Sequence, residues 1–480
     1  MFKTNIIALV GPRLKLHPAQ IFRLLAFGVV LGFIVSEFIK INLYVSLAAI
    51  LILALIFYFN LFSHKVILLL LGILLALIRV GNGVNPPTPA LFTGPQYFEA
   101  IVVEPPRASD TVVRYVVEPK LNSLGRVLLI AKSYPSFNYG EKLKISCKNL
   151  EVVEFSAYVA KGIYRECAFP EIELAAPADF SVKKLLLDWR TAAGYRLKQV
   201  LAEPYASLAT GMLWGDDAGL PKDLVNSFRR TGTTHLLAVS GYNVMVLTEI
   251  LFWFLIALGL WRKTASFIVL GLITLFVIFT GGEPAVVRAG IMGSLLVVAR
   301  LMSRKPDNIN VLLGAAAAML FIAPALISDL GFQLSFAAMA GLMFVAPFLG
   351  EQLKIIPDIW GLRLSVAQTL AATITTLPFI LIRLDQLSLI SPLANVLIGP
   401  VVFFVFIFGL PLLPLSFWGG VTAPVAWLLS LVLAYVTMVV EGLGNLPWAS
   451  VQNAIWLWLA LIILYGIGAG WFLKNKLKIL

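Results

Sequence analysis

Residues 261–305 read WRKTASFIVLGLITLFVIFTGGEPAVVRAGIMGSLLVVARLMSRK. Two apolar blocks, Thr264 to Thr280 and Pro284 to Met302, are separated by a short turn that carries Glu283. Each block is close to the roughly 20 residues that a helix needs to cross a bilayer. Arg262 and Lys263 precede the first block and Arg300, Arg304 and Lys305 close the second, so the outer ends are basic and the turn is acidic. That asymmetry is what the positive-inside rule expects of a helical hairpin with both ends in the cytoplasm. The composition generalises the reading, because 60% of the 480 residues are hydrophobic and 13% are charged, against roughly 45–50% apolar usage in soluble domains. The chain is therefore expected to be an α-helical polytopic membrane protein, with room for about 10–12 transmembrane segments and one modest soluble domain.

Working outward, seven more apolar blocks follow residue 234: His235 to Trp261, Val311 to Leu326, Leu330 to Leu349, Leu364 to Ile382, Leu389 to Leu413, Thr422 to Val440 and Asn453 to Leu473. Lys354, Arg363 and the lysines from Lys474 to Lys478 fall on the expected cytoplasmic side, with Asp329 and Glu441 opposite. The block Leu389 to Leu413 contains Gly399-Pro400, which predicts a re-entrant piece or a broken helix; an extra crossing there would move the C-terminus to the other side. Three blocks open the chain, Ile21 to Ile39, Ile41 to Leu61 and the shorter Val66 to Ile78. Met1 to Gln20 lacks a compact apolar core with a small-residue cleavage site, so no cleavable leader is expected. Lys3, Arg13, Lys15 and Arg23 predict a cytoplasmic N-terminus in the inner, or plasma, membrane. The expected division is 1–84 N-terminal transmembrane helices, 85–180 an external β domain, 181–233 an interfacial segment and 234–480 a transmembrane channel domain.

Between Asn85 and Phe180 the hydropathy collapses and long apolar blocks give way to short alternating ones. Candidate strands are Tyr97 to Val103, Thr111 to Glu118, Arg126 to Lys132, Lys142 to Cys147 and Leu150 to Phe155. Five short strands suit a small Greek-key β-barrel of the oligonucleotide-binding (OB-like) type, or else a small sandwich. The balanced charge of this segment leaves two roles open, a nucleic-acid grip and a spacer. Both cysteines, Cys147 and Cys167, lie here, on the side where disulfides persist, and are expected to be bonded to each other. After it, Leu186, Trp189, Ala193, Leu197 and Val200 recur at helical spacing, with Lys183, Lys184, Arg190, Arg196 and Lys198 on the other face. This is an interfacial amphipathic helix, either resting on membrane lipids or offering a landing surface for a polyanion.

Two cysteines and three scattered histidines hardly assemble a dedicated metal site, and no G-x-x-x-x-G-K-[ST] phosphate loop is present, so neither a metal nor a nucleotide cofactor is expected. The polar residues within the membrane segments carry the functional reading. Residues 228–244, FRRTGTTHLLAVSGYNV, set Arg229, Arg230, three threonines, His235, Ser240, Gly241, Tyr242 and Asn243 where lipid demands apolar groups. Ser240 and His235 are five residues apart, about 140° around a helix, and do not form a nucleophile and base on that element. Arg288 stands one turn into an otherwise apolar block and either reaches the outer interface or faces the interior. Asp329 and Gln333 share a helical face, and Thr369, Thr373 and Thr376 form a hydroxyl stripe that suits either a pathway or contacts between helices.

The ordered set of motifs Glu203-Pro204-Tyr205-Ala206-Ser207-Leu208, Leu213-Trp214-Gly215-Asp216, His235 to Gly241, Pro284 to Met292, Asp329 to Phe336, Thr376-Leu377-Pro378 and Ser391-Pro392-Leu393-Ala394-Asn395 resembles the ComEC family of DNA-internalisation channels. Tyr158 to Ile163 resembles the end of that family's external β domain. The resemblance implies passage of single-stranded DNA across the cytoplasmic membrane during natural transformation. It also implies partners outside this chain: a DNA-receptor protein, a separate nuclease and a cytosolic DNA-pulling ATPase. Many members carry a Leu-His pair after the Ser-Gly, where this chain has Tyr242-Asn243; asparagine keeps the hydrogen bonding but does not titrate near neutrality. Many also append a metallo-β-lactamase-like nuclease, and no histidine follows His235 here. The expectation is a channel rather than an enzyme, with His235, Ser240, Gly241, Tyr242, Asn243, Arg288, Asp329, Gln333, Asn395, Arg229 and Arg230 along the DNA pathway. A membrane-embedded enzyme and a transporter of another anion are the alternatives.

Overall fold

A computed structural model describes residues 17–38, 64–81, 95–153 apart from 109–111 and 121–124, residue 158, and 162–452 apart from 218, 238, 240, 283, 302–306, 358–360, 385 and 416–418. Among the described residues six helices are long and apolar enough to cross a membrane: Pro18–Ser36, Arg262–Phe279, Leu330–Gln352, Leu362–Leu381, Ser391–Leu413 and Thr422–Gly444. Three shorter apolar helices cover Asn243–Ala257, Ala285–Val298 and Asn308–Ile322. The protein is thus a multi-pass helical membrane protein. The expected crossings Ile41 to Leu61 and Asn453 to Leu473 lie outside the described residues. The chain divides into two compact units, residues 1–180, 261–274 and 287–332 in one and 181–260, 275–286 and 333–480 in the other.

The first unit opens with α1 (Pro18–Phe38) and α2 (His64–Gly81). They pack backbone to backbone, because Gly28, Gly32 and Gly72 carry no side chain at the crossing. A Cβ on Gly28 would run into the Leu69 carbonyl oxygen, and one on Gly72 into that of Leu25. A Cβ on Gly32 would stand 2.5 Å from the Ile73 carbonyl oxygen and 2.7 Å from Ala76. Small residues that let backbones approach are how helices associate in lipid, where no hydrophobic force draws them together. Contacts advance along both helices together, so α1 and α2 run parallel. Val66 to Ile78, short as a stretch of sequence, is the middle of this full-length helix.

Helix α9 (Asn308–Ile322) joins the pair. Asp307 caps it by accepting from the Ile309 and Asn310 amides and also pairs with Arg23 near the start of α1. Arg79 at the end of α2 donates to the Phe321 carbonyl at 2.9 Å, at the far end of α9. The three helices therefore run in the same direction.

The β domain of this unit has eight strands: β1 (Gln96–Val102), β2 (Arg107–Ala108), β3 (Val112–Pro119), β4 (Arg126–Lys132), β5 (Lys142–Cys147), β6 (Glu151–Val152), β7 (Ile163–Ala168) and β8 (Glu171–Ala176). They form one sheet in the order β6-β7-β4-β3-β1-β5-β8, with β2 paired to β3 and β4 parallel to β7. The ends of this path are not paired, so the sheet is not closed as a hydrogen-bonded barrel. It is nevertheless strongly curled. In a flat sheet β7 and β5, four strand spacings apart, would be about 19 Å from each other; yet Cys147 on β5 and Cys167 on β7 are joined by a disulfide with Cα atoms 6.2 Å apart. Inside the curl lies a core of Phe98, Val102, Tyr115, Val117, Leu129, Leu143 and Ile145, which also encloses both cysteines. The buried Tyr115 hydroxyl accepts from the Phe137 amide at 3.2 Å, and burial pushes its pKa up.

The second unit is built round α4 (Tyr205–Trp214), in which every residue from Ala206 to Trp214 is buried. A helix apolar all round must be enclosed, and here α3 (Val182–Val200), α5 (Lys222–Arg230), α13 (Ser391–Leu415) and α14 (Gly419–Gly444) supply the enclosing core residues Leu197, Phe228, Phe406 and Leu433. Gly409 of α13 makes room for Leu213, since a Cβ there would stand 2.8 Å from its methyl. Helix α13 runs unbroken through Gly399-Pro400, contrary to the expected re-entrant piece; a single proline removes one hydrogen bond, which a long helix in a protein interior tolerates. The irregular span is instead α10 (Leu330–Ala340), a π-turn at Gly341–Val345 and α11 (Ala346–Gln352). A Cβ on Gly341 would strike Thr375 of α12 (Leu362–Leu384), so the glycine lets the π-turn press against that helix.

Candidate functional site

The polar stretch after α5 is a helix break held by hydrogen bonds on all sides. Helix α5 ends with Gly232 at φ 68°, a left-handed conformation that suits glycine. Around it the Thr231 amide donates to Ser227, that of Gly232 to Arg229 and that of Thr233 to Phe228, at 3.0, 3.1 and 2.9 Å. Thr231 and Thr233 are fully buried, and their hydroxyls are 2.8 Å apart, while the Thr231 hydroxyl also reaches the Ser227 carbonyl at 2.8 Å. A 3₁₀ turn, Thr234–Leu236, follows, and α6 (Gly241–Ala257) begins five residues later. The expected span from His235 therefore starts with irregular chain.

Two further elements wall this break. The chain leaving α12 forms β9 (Gln386–Ser388), which pairs with β10 (Ser450–Gln452) and leads into α13. Gly232 packs directly on that connection, because a Cβ there would stand 2.9 Å from both the Cβ and Oγ of Ser391 and 3.0 Å from Cβ of Ser388. Asn395, one turn into α13, donates to Ser391 Oγ at 3.1 Å. Arg230 reaches out of α5 to the Leu446 carbonyl beyond α14 at 2.8 Å. On the α4 side, Asn243 is buried at 1% exposure and its amide donates to the Met212 carbonyl at 3.1 Å. The groups that meet here are hydroxyls, carboxamides, one guanidinium and main-chain carbonyls: a hydrogen-bonding surface able to receive a polar chain.

Of the residues singled out from the sequence, Arg230 and Asn395 thus come to the break from different elements, and Asn243 ties its far end to α4. Arg229 and His235 are exposed, Gly241 is the first residue of α6, and Gln333 is half-buried in α10. Ser240 and the side chain of Tyr242 lie outside the described residues. In the other unit Arg288 is buried at 4% exposure. Asp329, at 9%, accepts from the Phe332 amide at 2.8 Å and so caps α10. The hydroxyls of Thr375 and Thr376 bond to carbonyls of their own helix, at Ala371 and Ala372. Sequence reasoning did not single out Ser388 and Ser391 as partners of this stretch, because the contacts that bring them to Gly232 join positions about 160 residues apart. Among the described residues no group of three or more His, Cys, Asp or Glu side chains is placed to hold a metal ion.

The pattern that defines the Competence protein family matches residues 212–477, more than half of the chain and the region that contains this break. The chain belongs to the Competence (ComEC) family. It resembles ComE operon protein 3 of Bacillus subtilis (strain 168), with 30% identity over 186 residues that make up 39% of this chain and 23% of that protein. It also resembles the uncharacterized protein YcaI of Escherichia coli (strain K12), with 26% identity over 216 residues, 42% of this chain and 28% of that protein. The matched stretch spans about a quarter of the length of these curated relatives. No solved structure matches. In this Competence family member, Arg230, Asn243, Ser391 and Asn395 all fall inside the matched region.

Proposed function

We propose that this protein is a channel that takes single-stranded DNA across the cytoplasmic membrane during DNA uptake. The observation that carries the reading is the helix break that ends α5, where the buried hydroxyls of Thr231 and Thr233 and, across Gly232, Ser391 and Asn395 of α13 come together inside a membrane protein of the Competence family. A strand entering a low-dielectric pore loses hydration, and fixed hydrogen-bond donors and positive charge are what replace it. Arg288 serves in this reading as a buried cation for phosphate. Work comes from outside the chain, from a cytosolic ATPase that pulls the strand, after a receptor has delivered DNA and a separate nuclease has removed its complement.

The same reading sets the orientation. Arg23, the start of α2 and the start of α9 share one end of the first unit, and the basic residues around them favour the cytoplasm. The disulfide-bearing β domain then lies outside, where such bonds persist. Its curled, incompletely closed sheet supports an OB-like assignment, since that fold is a partly open five-stranded Greek-key barrel. The test is to delete the gene and follow import of fluorescent DNA. Import should fail in the deletant and return with the intact gene, whereas normal import in the deletant refutes the proposal.

A further inference from the structure

Strand β8 is the last strand on one side of the curled sheet. It bonds to β5 alone, and among the described residues no strand pairs with its other edge. Main-chain N–H and C=O groups left open in this way form a template for a further strand. Native edges are usually blunted by proline, by a bulge or by a charge that points inward. In β8, Glu171–Ala176, there is no proline, the register with β5 is regular from Leu143 to Ser146, and the inward positions hold Ile172 and Leu174. Ile172 packs on the core of Phe98, Leu143 and Ile145, whereas Leu174, opposite the fully buried Leu143, is 54% exposed. The sheet thus ends with an apolar side chain of its core face uncovered, on the strand whose backbone is open.

The outer face of the same edge is acidic. Tyr97, Ser146 and Glu171 lie in register across β1, β5 and β8, and Glu99, Lys144 and Glu173 form the next row. Lys120 pairs with Glu99, Lys142 pairs with Asp179, and Lys144 stands between two carboxylates, so the edge strand itself presents Glu171 and Glu173, both exposed. These two carboxylates decide what fits. A second copy of β8 does not, because any antiparallel register that keeps the outer faces together sets glutamate opposite glutamate, and like charges directly opposite each other weaken a strand pair. A polyanion is repelled for the same reason. An extended polypeptide with Lys or Arg at every second position and apolar residues between them fits on both faces: its cations come opposite Glu171 and Glu173, and its apolar side chains extend the core face over Leu174.

We propose that the β8 edge binds an extended, alternately basic and apolar segment of another protein, which adds to the sheet as a further strand. The full-length protein in detergent is titrated with three fluorescein-labelled hexapeptides: alternating Lys-Val, the same residues as a Lys block followed by a Val block, and alternating Glu-Val. The intact protein should bind the alternating Lys-Val peptide about tenfold or more tightly than the block peptide, which has equal charge but does not match both faces, and should not bind the Glu-Val peptide. Glu171→Lys with Glu173→Lys should reverse the preference, so that Glu-Val binds and Lys-Val does not. Leu174→Ser should weaken binding of the Lys-Val peptide about threefold or more. Isotope-labelled carbonyls in the Lys-Val peptide should take up the amide I frequency of a paired strand when it binds. Retention of the Cys147–Cys167 bond on non-reducing gels shows that each variant is folded. Folded variants that bind Lys-Val as tightly as the intact protein overturn the proposal. So do equal affinity for the block peptide, a bound peptide with no strand signal, and no binding by the intact protein. None of these outcomes touches the channel reading, which stands or falls on import in the deletant.

Discussion

Replacing Gly232 by alanine separates backbone strain from contact at the helix break. Gly232 has φ 68°, and an L-residue in that conformation costs about 1–2 kcal/mol. The new Cβ would also stand 2.9 Å from Ser391 Cβ and Oγ and 3.0 Å from Ser388 Cβ. These atoms sit on short side chains fixed to the backbone, so relief requires moving the β9–α13 connection, and overpacking of this kind costs about 1–3 kcal/mol. The expected total is roughly 2–5 kcal/mol. Gly259 supplies the control, because it has φ 85° and nothing within 4 Å of a built Cβ, so Gly259→Ala carries the strain alone. Thermal unfolding in detergent should place Gly232→Ala below Gly259→Ala, and DNA import at matched membrane abundance should fall for the former only. Adding Ser391→Gly should recover part of the loss. If the two alanine variants unfold alike and import alike, Gly232 does not pack on Ser391, and the assembly of the break from α5 and α13 is wrong.

Three other outcomes follow from the same structure. Replacing Cys147 and Cys167 by serine opens a loop of sequence separation 20, which in the chain-entropy account costs about 3 kcal/mol; the β domain should become protease-sensitive, and thiol labelling of intact cells should find no free cysteine in the unmodified protein. Gly28→Leu should drive a side chain into the Leu69 carbonyl and lower the membrane abundance of the protein, whereas Gly271→Leu, with open space around it, should not. Arg288→Gln should reduce DNA import with the protein still inserted, and Arg288→Lys should retain more of it; normal import by Arg288→Gln would make the buried arginine a structural anchor.

Much of the architecture was legible because lipid imposes simple demands. Thr264 to Thr280, Leu364 to Ile382 and Thr422 to Val440 read as spans from length and hydropathy, and helices lie there within a few residues. The strands of the β domain that pair with near neighbours, such as β3 with β4, were visible as alternation. Strands β7 and β8 were not: β7 pairs in parallel with β4 across more than thirty residues, and β8 is too exposed to alternate. Gly399-Pro400 misled because local propensity gave way to the packing of α13 against α14, while the true interruption at Gly341–Val345 contains no proline. For the site, the sequence exposed the anomalous polarity of residues 228–244, but not that Asp329 is occupied as a helix cap or that Ser388 and Ser391 wall the break. Those facts depend on which helices become neighbours.

Passage of single-stranded DNA can be followed by reconstituting the purified protein in liposomes that contain a single-strand-binding protein to trap arriving DNA. Fluorescent single strands are added outside, and the nuclease-protected signal is then measured. Protected single-stranded DNA should accumulate in the lumen, reduced by Gly232→Ala and absent from vesicles without the protein. A lumen that stays empty, while the reconstituted protein is folded and correctly inserted, would contradict the channel reading.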